Sequence, residues 1–446
     1  MNTIRAGLSL KRRDFFFPRD TSTDLIKQER SEFAYALGDD FYYPIIADKL
    51  SAEVSLDIAP RSVTRRVPDI DLSTLSSQFL TGTTFLAPSS SSMTTSTFFG
   101  RLNYMWSGNL LSTEIRYEER AEDNALLLED AGSLSTALSR KVSEALNATS
   151  YETRSTVGSI KLIAGLSSRD TLNAEVNARI YRFDTPSEEN VDDRDEQYFY
   201  STLRYTHRFT RALALLTELK AASGHLVYIK SDRSAQNNRT RKIAFNNSVR
   251  ITSGQLRNTL GAEVYANYTE YDFILPTSIT TNDFVIRGFS AIDSFFVAIG
   301  TPLYGSSPMG ISFRTEYRIS ERGTFNPGAF SERPLLETSE LLVESLFQTS
   351  FGSLRMPLLL RIGARGFFLD RKSMHEASTN SAGLTRDEHS SRIGPLVTVI
   401  MDHTERKGLR LFGTLWYGFI ATTHDDLSTS TLGTQAEARL AAEWLF

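Results

Sequence analysis

The feature that most constrains the fold of this chain is an alternation of apolar and polar residues with a period of two. Residues 172–182 read LNAEVNARIYR, which sets Val176 and Ile180 on one face and Glu175 and Arg179 on the other. Because successive side chains of a β-strand point to opposite faces, this pattern predicts strands with one apolar and one polar face. The same alternation recurs over residues 49–58, 110–119, 259–268, 311–319 and 358–368.

Composition is typical of an all-β protein. The chain has 446 residues, among them 28 Phe and 17 Tyr, and aromatic residues favour strands. Apolar runs are short, and none approaches the roughly 18–20 residues of a transmembrane helix. Residues 284–297 and 341–351 alternate poorly and are predicted as strands from their neighbours alone. Residues 86–97, LAPSSSSMTTST, have low complexity and are predicted to form a loop tip.

Two architectures share this pattern. A soluble antiparallel sheet turns its apolar face to a core and has strands of about 5–6 residues. A membrane barrel turns that face to lipid, encloses a polar lumen and needs strands of about 9–11 residues or more. The segments 213–230, 256–273 and 408–424 run long with few breaks, and the polar faces carry Arg and Glu in mid-strand. These features favour the barrel.

The connections between the segments alternate between short and long from residue 95 onward, and this favours the barrel again. Short turns are predicted at positions such as 107–109 and 253–255, and long loops at 120–151 and 320–337. Outer-membrane barrels have short periplasmic turns and longer extracellular loops, with an even number of strands. We therefore predict a single domain over residues 1–446, an all-β transmembrane antiparallel up-and-down barrel of about 18 strands, or 16. Residues 1–48 supply the first strands or a luminal or periplasmic segment.

The end of the chain carries a resemblance to a known class. Residues 440–446 read LAAEWLF, so that Phe446 and Trp444 continue an apolar set at alternate positions. This ending resembles that of bacterial outer-membrane β-barrel proteins, whose final strand typically ends in phenylalanine. The resemblance implies a location in the bacterial outer membrane and recognition of Trp444 and Phe446 by the barrel-assembly machinery. It marks a class of proteins rather than one function.

The inward faces of the predicted strands carry charges of both signs. The predicted pore-lining residues are Arg101, Arg116, Arg179, Arg204, Arg314, Glu316, Arg318, Glu344, Arg361, Arg365, Arg410, Glu437 and Arg439. One interpretation is that these charges pair into a network that stiffens the barrel. The other is that unpaired arginines line a wet pore and bias it toward anions, with Arg314, Arg318, Arg361 and Arg365 as a basic ladder that Glu316 and Glu344 partly neutralise.

Several kinds of chemistry find no support in the sequence. The chain has no cysteine, and its six histidines are scattered without metal-ligand spacing, so no metal or cofactor is expected. A net charge of −4 gives no argument for nucleic acid. The grouping of Asp387, His389 and Ser391 is the one hint of an embedded enzyme, and no catalytic residue is predicted.

The sequence thus predicts a porin-like channel for passive diffusion of small hydrophilic solutes, with a weak preference for anions. Its expected partners are the lipid bilayer, lipopolysaccharide, the barrel-assembly machinery and small solutes. A non-conducting barrel that acts in secretion, assembly or adhesion is the first alternative, and the long 120–151 loop supports it. A barrel-embedded enzyme is the second. A TonB-dependent receptor is not expected, because about 22 strands plus a plug do not fit the length.

Overall fold

The computed structural model describes residues 2–18, 25–67, 87–127, 135–188, 190–273, 283–300, 309–329, 331–353, 356–374, 384–402, 409–424 and 429–444. These residues form a single sheet of 18 strands. The strands are β1 (Asn2–Pro18), β2 (Leu25–Ile46), β3 (Leu50–Arg66), β4 (Ser89–Trp106), β5 (Asn109–Leu126), β6 (Tyr151–Gly165), β7 (Asp170–Asp184), β8 (Arg194–Arg208), β9 (Leu213–Tyr228), β10 (Asn238–Ser253), β11 (Leu256–Tyr271), β12 (Phe284–Gly300), β13 (Met309–Asn326), β14 (Ser331–Ser353), β15 (Met356–Met374), β16 (Leu384–Asp402), β17 (Leu409–His424) and β18 (Thr429–Trp444). One α-helix, α1 (Thr136–Asn147), lies between β5 and β6, and a 3-10 helix (Ser231–Gln236) follows β9.

The sheet is an antiparallel meander, because each strand pairs with the next one along the chain, from β1 with β2 to β17 with β18. The predicted all-β, up-and-down order and the number of 18 strands are confirmed. The sequence left two alternatives for residues 1–48, the first strands or a luminal or periplasmic segment. In the structure this part of the chain contains strands, namely β1 and most of β2. The fallback of 16 strands is wrong for the same reason. The poorly alternating segments lie in β12 and β14, where ladders on both sides hold them.

Two predictions about loops are wrong. Residues 86–97 were expected at a loop tip, yet β4 begins at Ser89, which pairs with Arg65 on one side and Leu126 on the other. Residues 320–337 were expected to form a long loop, yet β13 continues to Asn326 and β14 begins at Ser331. In both places cross-strand hydrogen bonds to two neighbours outweigh the weak strand propensity of the local sequence.

The two ends of the sheet differ in their connections. We call the end of the sheet with the short connections the short-turn end. There, β4 and β5 are joined through Ser107 and Gly108, whose φ angles are 45° and 81°. Positive φ at both central positions suits the right-handed twist of a hairpin, and glycine adopts it without steric cost. The other end, the long-loop end, carries α1 and the 3-10 helix. Within the described ranges, no helix has the length and hydropathy needed to cross a membrane.

Candidate functional site: the inner wall of the sheet

The two faces of the sheet differ in burial and polarity. The face that carries Arg101, here the inner face, buries polar side chains in mid-strand, including Glu218 at 4% exposure and Thr398 at 7%. The opposite, outer face leaves Val176 39% exposed and Leu260 55% exposed. Because only a concave surface buries its own polar side chains in this way, we infer that the sheet curls toward the inner face.

The outer face has a layered pattern of side chains. Its exposed surface is apolar over most strands, with Leu102, Ile160, Ile180, Leu203, Leu219, Ile243, Val264, Ile311, Ile362 and Leu415 among the exposed side chains. Aromatic rings lie near the short-turn end, where Tyr104 stacks on Trp106 at 5.5 Å. Ion pairs lie near the long-loop end, for example between Arg182 and Asp184 at 2.7 Å. An apolar band between an aromatic rim and a charged rim matches the profile of a lipid bilayer.

On the inner face of β3 to β9, three of the predicted pore-lining arginines are ion-paired. Arg101 contacts Glu114 at 2.9 Å and also Glu53 at 3.3 Å. The register places these three residues directly opposite one another on β4, β5 and β3. Arg116 and Arg204 contact their carboxylates, Glu118 and Glu218, at 3.1 Å and 2.5 Å respectively. These contacts support the interpretation of the charges as a network along the wall.

In the predicted basic ladder of β13 to β15, three of the four arginines contact a carboxylate, and only Arg361 lacks one among the described residues. Glu344 lies in register between Arg314 and Arg365 and contacts Arg365 at 2.7 Å. Glu316 pairs with both Arg314, at 2.7 Å, and Arg318. The structure therefore brings the predicted residues of these strands together on one wall and pairs most of their charge.

The remaining predicted residues make fewer contacts with carboxylates. Arg179 donates to Ser155 at 3.3 Å, and Arg361 donates to Gln348 at 3.2 Å. Arg439 makes no ion pair with a described residue. The side chain of Arg410 lies outside the described part of the structure, although its backbone pairs with Glu443 in β17 and β18. Phe446 and the side chain of Trp444 also lie outside it, so the predicted assembly signal remains a prediction.

The sequence did not predict an apolar patch on the inner wall. Leu346, Leu396 and Trp416 are buried together, with Phe367 packed against them. The guanidinium of Arg392 lies 3.6 Å from the centre of the Trp416 ring and donates to the backbone oxygen of Trp416 at 3.4 Å. Glu437, one of the predicted residues, contacts Arg392 at 3.4 Å. The period-two pattern places these side chains on the inner face. The sequence identifies that face by its charged residues, so it does not predict an apolar patch there.

Helix α1 covers part of the long-loop end. Its N-cap, Ser135, accepts a hydrogen bond from the backbone of Leu138, which satisfies a free donor of the first turn. Val142 and Leu146 are buried against Ile26 of β2. Asn190, in the β7–β8 connection, donates to the backbone oxygen of Ala148 at 2.8 Å just after the helix. The connection predicted only as a long loop thus contains an amphipathic helix that packs on the inner face near the mouth.

The inner face of β1 to β3 carries a second group of cations that the sequence did not single out. Lys11, Arg13, Arg30, Arg61 and Arg65 share this face, as the register of the three strands requires. We call these five residues the basic cluster. A signal was available, because Lys11 and Arg13 are two positions apart, as are Arg30 and Glu32. The sequence predicts these strands only in part, so this spacing does not by itself assign the two pairs to one inward face.

The described residues do not form a group with evident catalytic or metal-binding geometry. In the described ranges, no set of His, Cys, Asp and Glu could hold a metal ion. Ser167 contacts Asp170, whose other oxygen lies 2.6 Å from His207, so the hydroxyl faces a carboxylate and not a histidine that could activate it. His389 lies on the outer face, 3.7 Å from Asp370, and the side chain of Asp387 lies outside the described residues.

The strand order, the outward apolar band and the inward ion pairs together define the fold of a bacterial outer-membrane β-barrel. No family model matches the chain. A search of curated proteins also finds no match.

Solved structures that match the chain contain longer chains. The siderophore receptor PirA from Acinetobacter baumannii matches with a TM-score of 0.46 and 10% identity over 100% of this chain and 74% of its own. FpvAI, in its complex with pyocin S2, matches with a TM-score of 0.44 and 10% identity over 99% of this chain and 72% of its own. The alcaligin outer membrane receptor FauA from Bordetella pertussis matches with a TM-score of 0.44 and 9% identity over 99% of this chain and 75% of its own. At these values the likeness assigns neither a family nor a ligand to this chain.

Proposed function

We propose that this chain is a bacterial outer-membrane channel, a single barrel domain through which small hydrophilic solutes diffuse passively. The observation that carries the proposal is the division of the strands into an apolar outer face and an ion-paired inner face. Barrels of about 16–18 strands leave an aqueous channel, unlike barrels of about eight strands, which side chains fill. The strands are 15 to 23 residues long, more than the roughly 9–11 that span a bilayer, so they extend beyond it.

The partners follow from the layers of the outer face. The apolar band would contact lipid, and the charged rim at the long-loop end would contact the phosphates of lipopolysaccharide. Trp444 and Phe446 would serve as the signal for the barrel-assembly machinery, as the resemblance of the C-terminal sequence implies. Among the side chains that the structure describes, no arrangement calls for a catalytic role.

The proposed channel has a weak preference for anions. Most inward arginines have a carboxylate within ion-pair distance, which limits their effect on a passing ion. Arg179, Arg361 and Arg439 retain charge that no described carboxylate neutralises at close range. Excess positive charge in a water-filled constriction attracts anions, and salt screens this attraction over about 10 Å at 0.1 M.

Single-channel recording in a planar bilayer tests the proposal. The refolded protein should conduct, and its reversal potential in a salt gradient should show a small selectivity for anions. Arg361→Glu should shift the selectivity toward cations. Arg12→Glu, which makes the same change of charge on the outer face, should leave it unchanged. A refolded protein that inserts without conducting would refute the channel.

The second candidate is a non-conducting barrel that acts in secretion, assembly or adhesion. The observation that favours it is the packing of α1 against the inner face, with Val142 at 0% exposure and Ile26 at 1%. A helix in this position reduces the cross-section of the mouth. The same recording separates the candidates, because a closed barrel inserts and remains electrically silent.

A further inference from the structure

The basic cluster contains like charges at directly opposed positions. Arg13 of β1 pairs in register with Arg30 of β2, and Arg30 pairs in register with Arg65 of β3. Three guanidinium groups therefore form a row across three neighbouring strands. Like charges directly opposite each other destabilise a sheet, because residues so paired have Cβ atoms only about 4.5–5.5 Å apart. Such a row is costly unless an anion lies close to it.

The described residues supply too few anions to this row. Glu32 contacts Arg61 at 2.9 Å, Arg30 at 3.6 Å and Lys11 at 3.9 Å, so three cations share one carboxylate. No ion pair joins Arg13 or Arg65 to a carboxylate among the described residues. Glu122 of β5 attracts Arg65 only at longer range, and it contacts Arg120 at 3.6 Å. The Nε atom of Arg61 is buried without a hydrogen-bond partner. The basic cluster thus carries an excess of positive charge and a free donor.

Space for a ligand exists at the same place. Four of the five basic side chains, Lys11, Arg13, Arg30 and Arg61, line a cavity of about 310 Å³ together with Glu32. Toward the long-loop end, the next inward residues of β1 and β2 include Phe17 and Ile26, which belong to the apolar cluster beneath α1. The cavity is therefore cationic on its wall and has an apolar boundary on the side of the mouth.

We propose that the basic cluster is a binding site for a small solute that carries phosphate groups, on the inner wall just below α1. Guanidinium groups present planar pairs of N–H donors that match phosphate oxygens, and a multiply charged anion would relieve the repulsion among Arg13, Arg30 and Arg65. Lys11 adds the compact positive charge of its ammonium group to the cluster. The cavity is of the size that takes a small ligand. This inference rests on the proposed function for its setting in a lumen, but the binding itself does not require conduction.

Isothermal titration of the refolded protein in detergent with pyrophosphate tests the site. The parent protein should bind one pyrophosphate, and Arg30→Gln, at the centre of the row, should weaken binding about tenfold or more. Arg13→Gln, at an exposed position of the same row, should also weaken it if the row is the site. Arg116→Gln is the matched control, because Arg116 lies on the same face but pairs with Glu118 on β5. Heat-modifiable migration on a gel confirms that each variant has folded.

The outcomes separate the inference from the function on which it rests. Binding that falls in the two row variants and persists in the control supports the site, even if the protein does not conduct. A parent protein that conducts but does not bind pyrophosphate, or equal affinities in all variants, overturns the site and leaves the channel intact. Lipopolysaccharide at the same phosphate concentration should not displace pyrophosphate, since the basic cluster faces inward. Displacement would assign the site to a lipid headgroup and overturn a soluble ligand.

Discussion

At the scale of single residues, Val176 and Asn177 of β7 make the sharpest comparison. Val176 lies on the outer face, whereas Asn177 lies on the inner face and donates to Glu175 at 2.9 Å. Val176→Arg places a cation in lipid near the middle of the strand, which costs about 2–4 kcal/mol. Asn177→Arg places the same cation in the lumen and should cost much less. Unfolding by urea in lipid vesicles measures both, and equal losses would show that the faces are assigned wrongly.

Glu218 provides a second prediction at this scale. It is 4% exposed and contacts Arg204 at 2.5 Å and Lys220 at 2.9 Å. Glu218→Gln removes the charge that both cations share and should lower the free energy of unfolding by about 1–3 kcal/mol. Glu118→Gln is the control, because Glu118 is 40% exposed and its loss should cost at most about 1 kcal/mol. Similar losses in both variants would contradict a specific role for buried charge pairs in the wall.

The sequence predicts the face of each residue well and its partners poorly. A period of two assigns a side chain to one face without further information, and the inward placement of Arg101 or Arg314 follows from it. Which carboxylate each arginine meets depends on the register between strands, and register depends on turns and bulges that no local pattern contains. The shift between Arg322 and Gly323 in β13 is one such irregularity. The sequence predicts that Glu344 neutralises part of the basic ladder, but it does not predict that Glu344 contacts Arg365 rather than Arg314.

At the scale of elements, helix α1 can be tested by its packing. Val142 is buried against β2, whereas Ser143 is exposed on the same helix. Val142→Asp buries a charge in an apolar cluster and should release the helix from the inner face. We expect higher single-channel conductance and faster proteolysis of the β5–β6 connection. Ser143→Asp should behave as the parent protein. If both variants match the parent, α1 does not limit the mouth.

The two edge strands make a further prediction. Within the described residues, β1 pairs with β2 and β18 pairs with β17, and Leu440 of β18 is 85% exposed. A sheet edge in lipid leaves backbone groups unsatisfied, at several kcal/mol each, so β1 and β18 should pair in the membrane. The chain has no cysteine, which makes cross-linking straightforward. Leu8→Cys combined with cysteine at 436, 438 or 440 should give a disulfide in one register.

A matched control accompanies this experiment. Arg439 lies on the inner face, whereas Leu8 lies on the outer face, so Leu8→Cys with Arg439→Cys should not cross-link. Cross-links of equal yield at every position would indicate that the edges collide without a fixed register, and their absence from all three outward pairs would contradict a closed barrel.

Strand boundaries were the weakest part of the sequence-based prediction, because they also depend on neighbouring strands. Low-propensity residues such as Ser89 become strand only because a neighbouring ladder extends past them.

At the scale of the whole molecule, the distribution of charge connects the fold to the proposed channel. The net charge is only −4, yet the inner face of β1 to β3 has an excess of positive charge. The net charge of the whole chain does not reveal such a region, because acidic segments such as 184–196 offset its positive charge. The overall architecture was predictable from alternation and loop lengths. The location of uncompensated charge was not predictable from the sequence, because it depends on which side chains the completed sheet brings into register.

The central claim is that one face of the sheet meets lipid and the other meets water, and a cysteine scan along β7 tests it most directly. Single cysteines at positions 173 to 180 are placed in the cysteine-free chain, refolded into vesicles and exposed to a membrane-impermeant thiol reagent. Cysteines at 173, 175, 177 and 179 should react, whereas those at 174, 176, 178 and 180 should be protected. Uniform labelling, or protection of the odd-numbered positions instead, would contradict a lipid-embedded barrel with a water-filled interior.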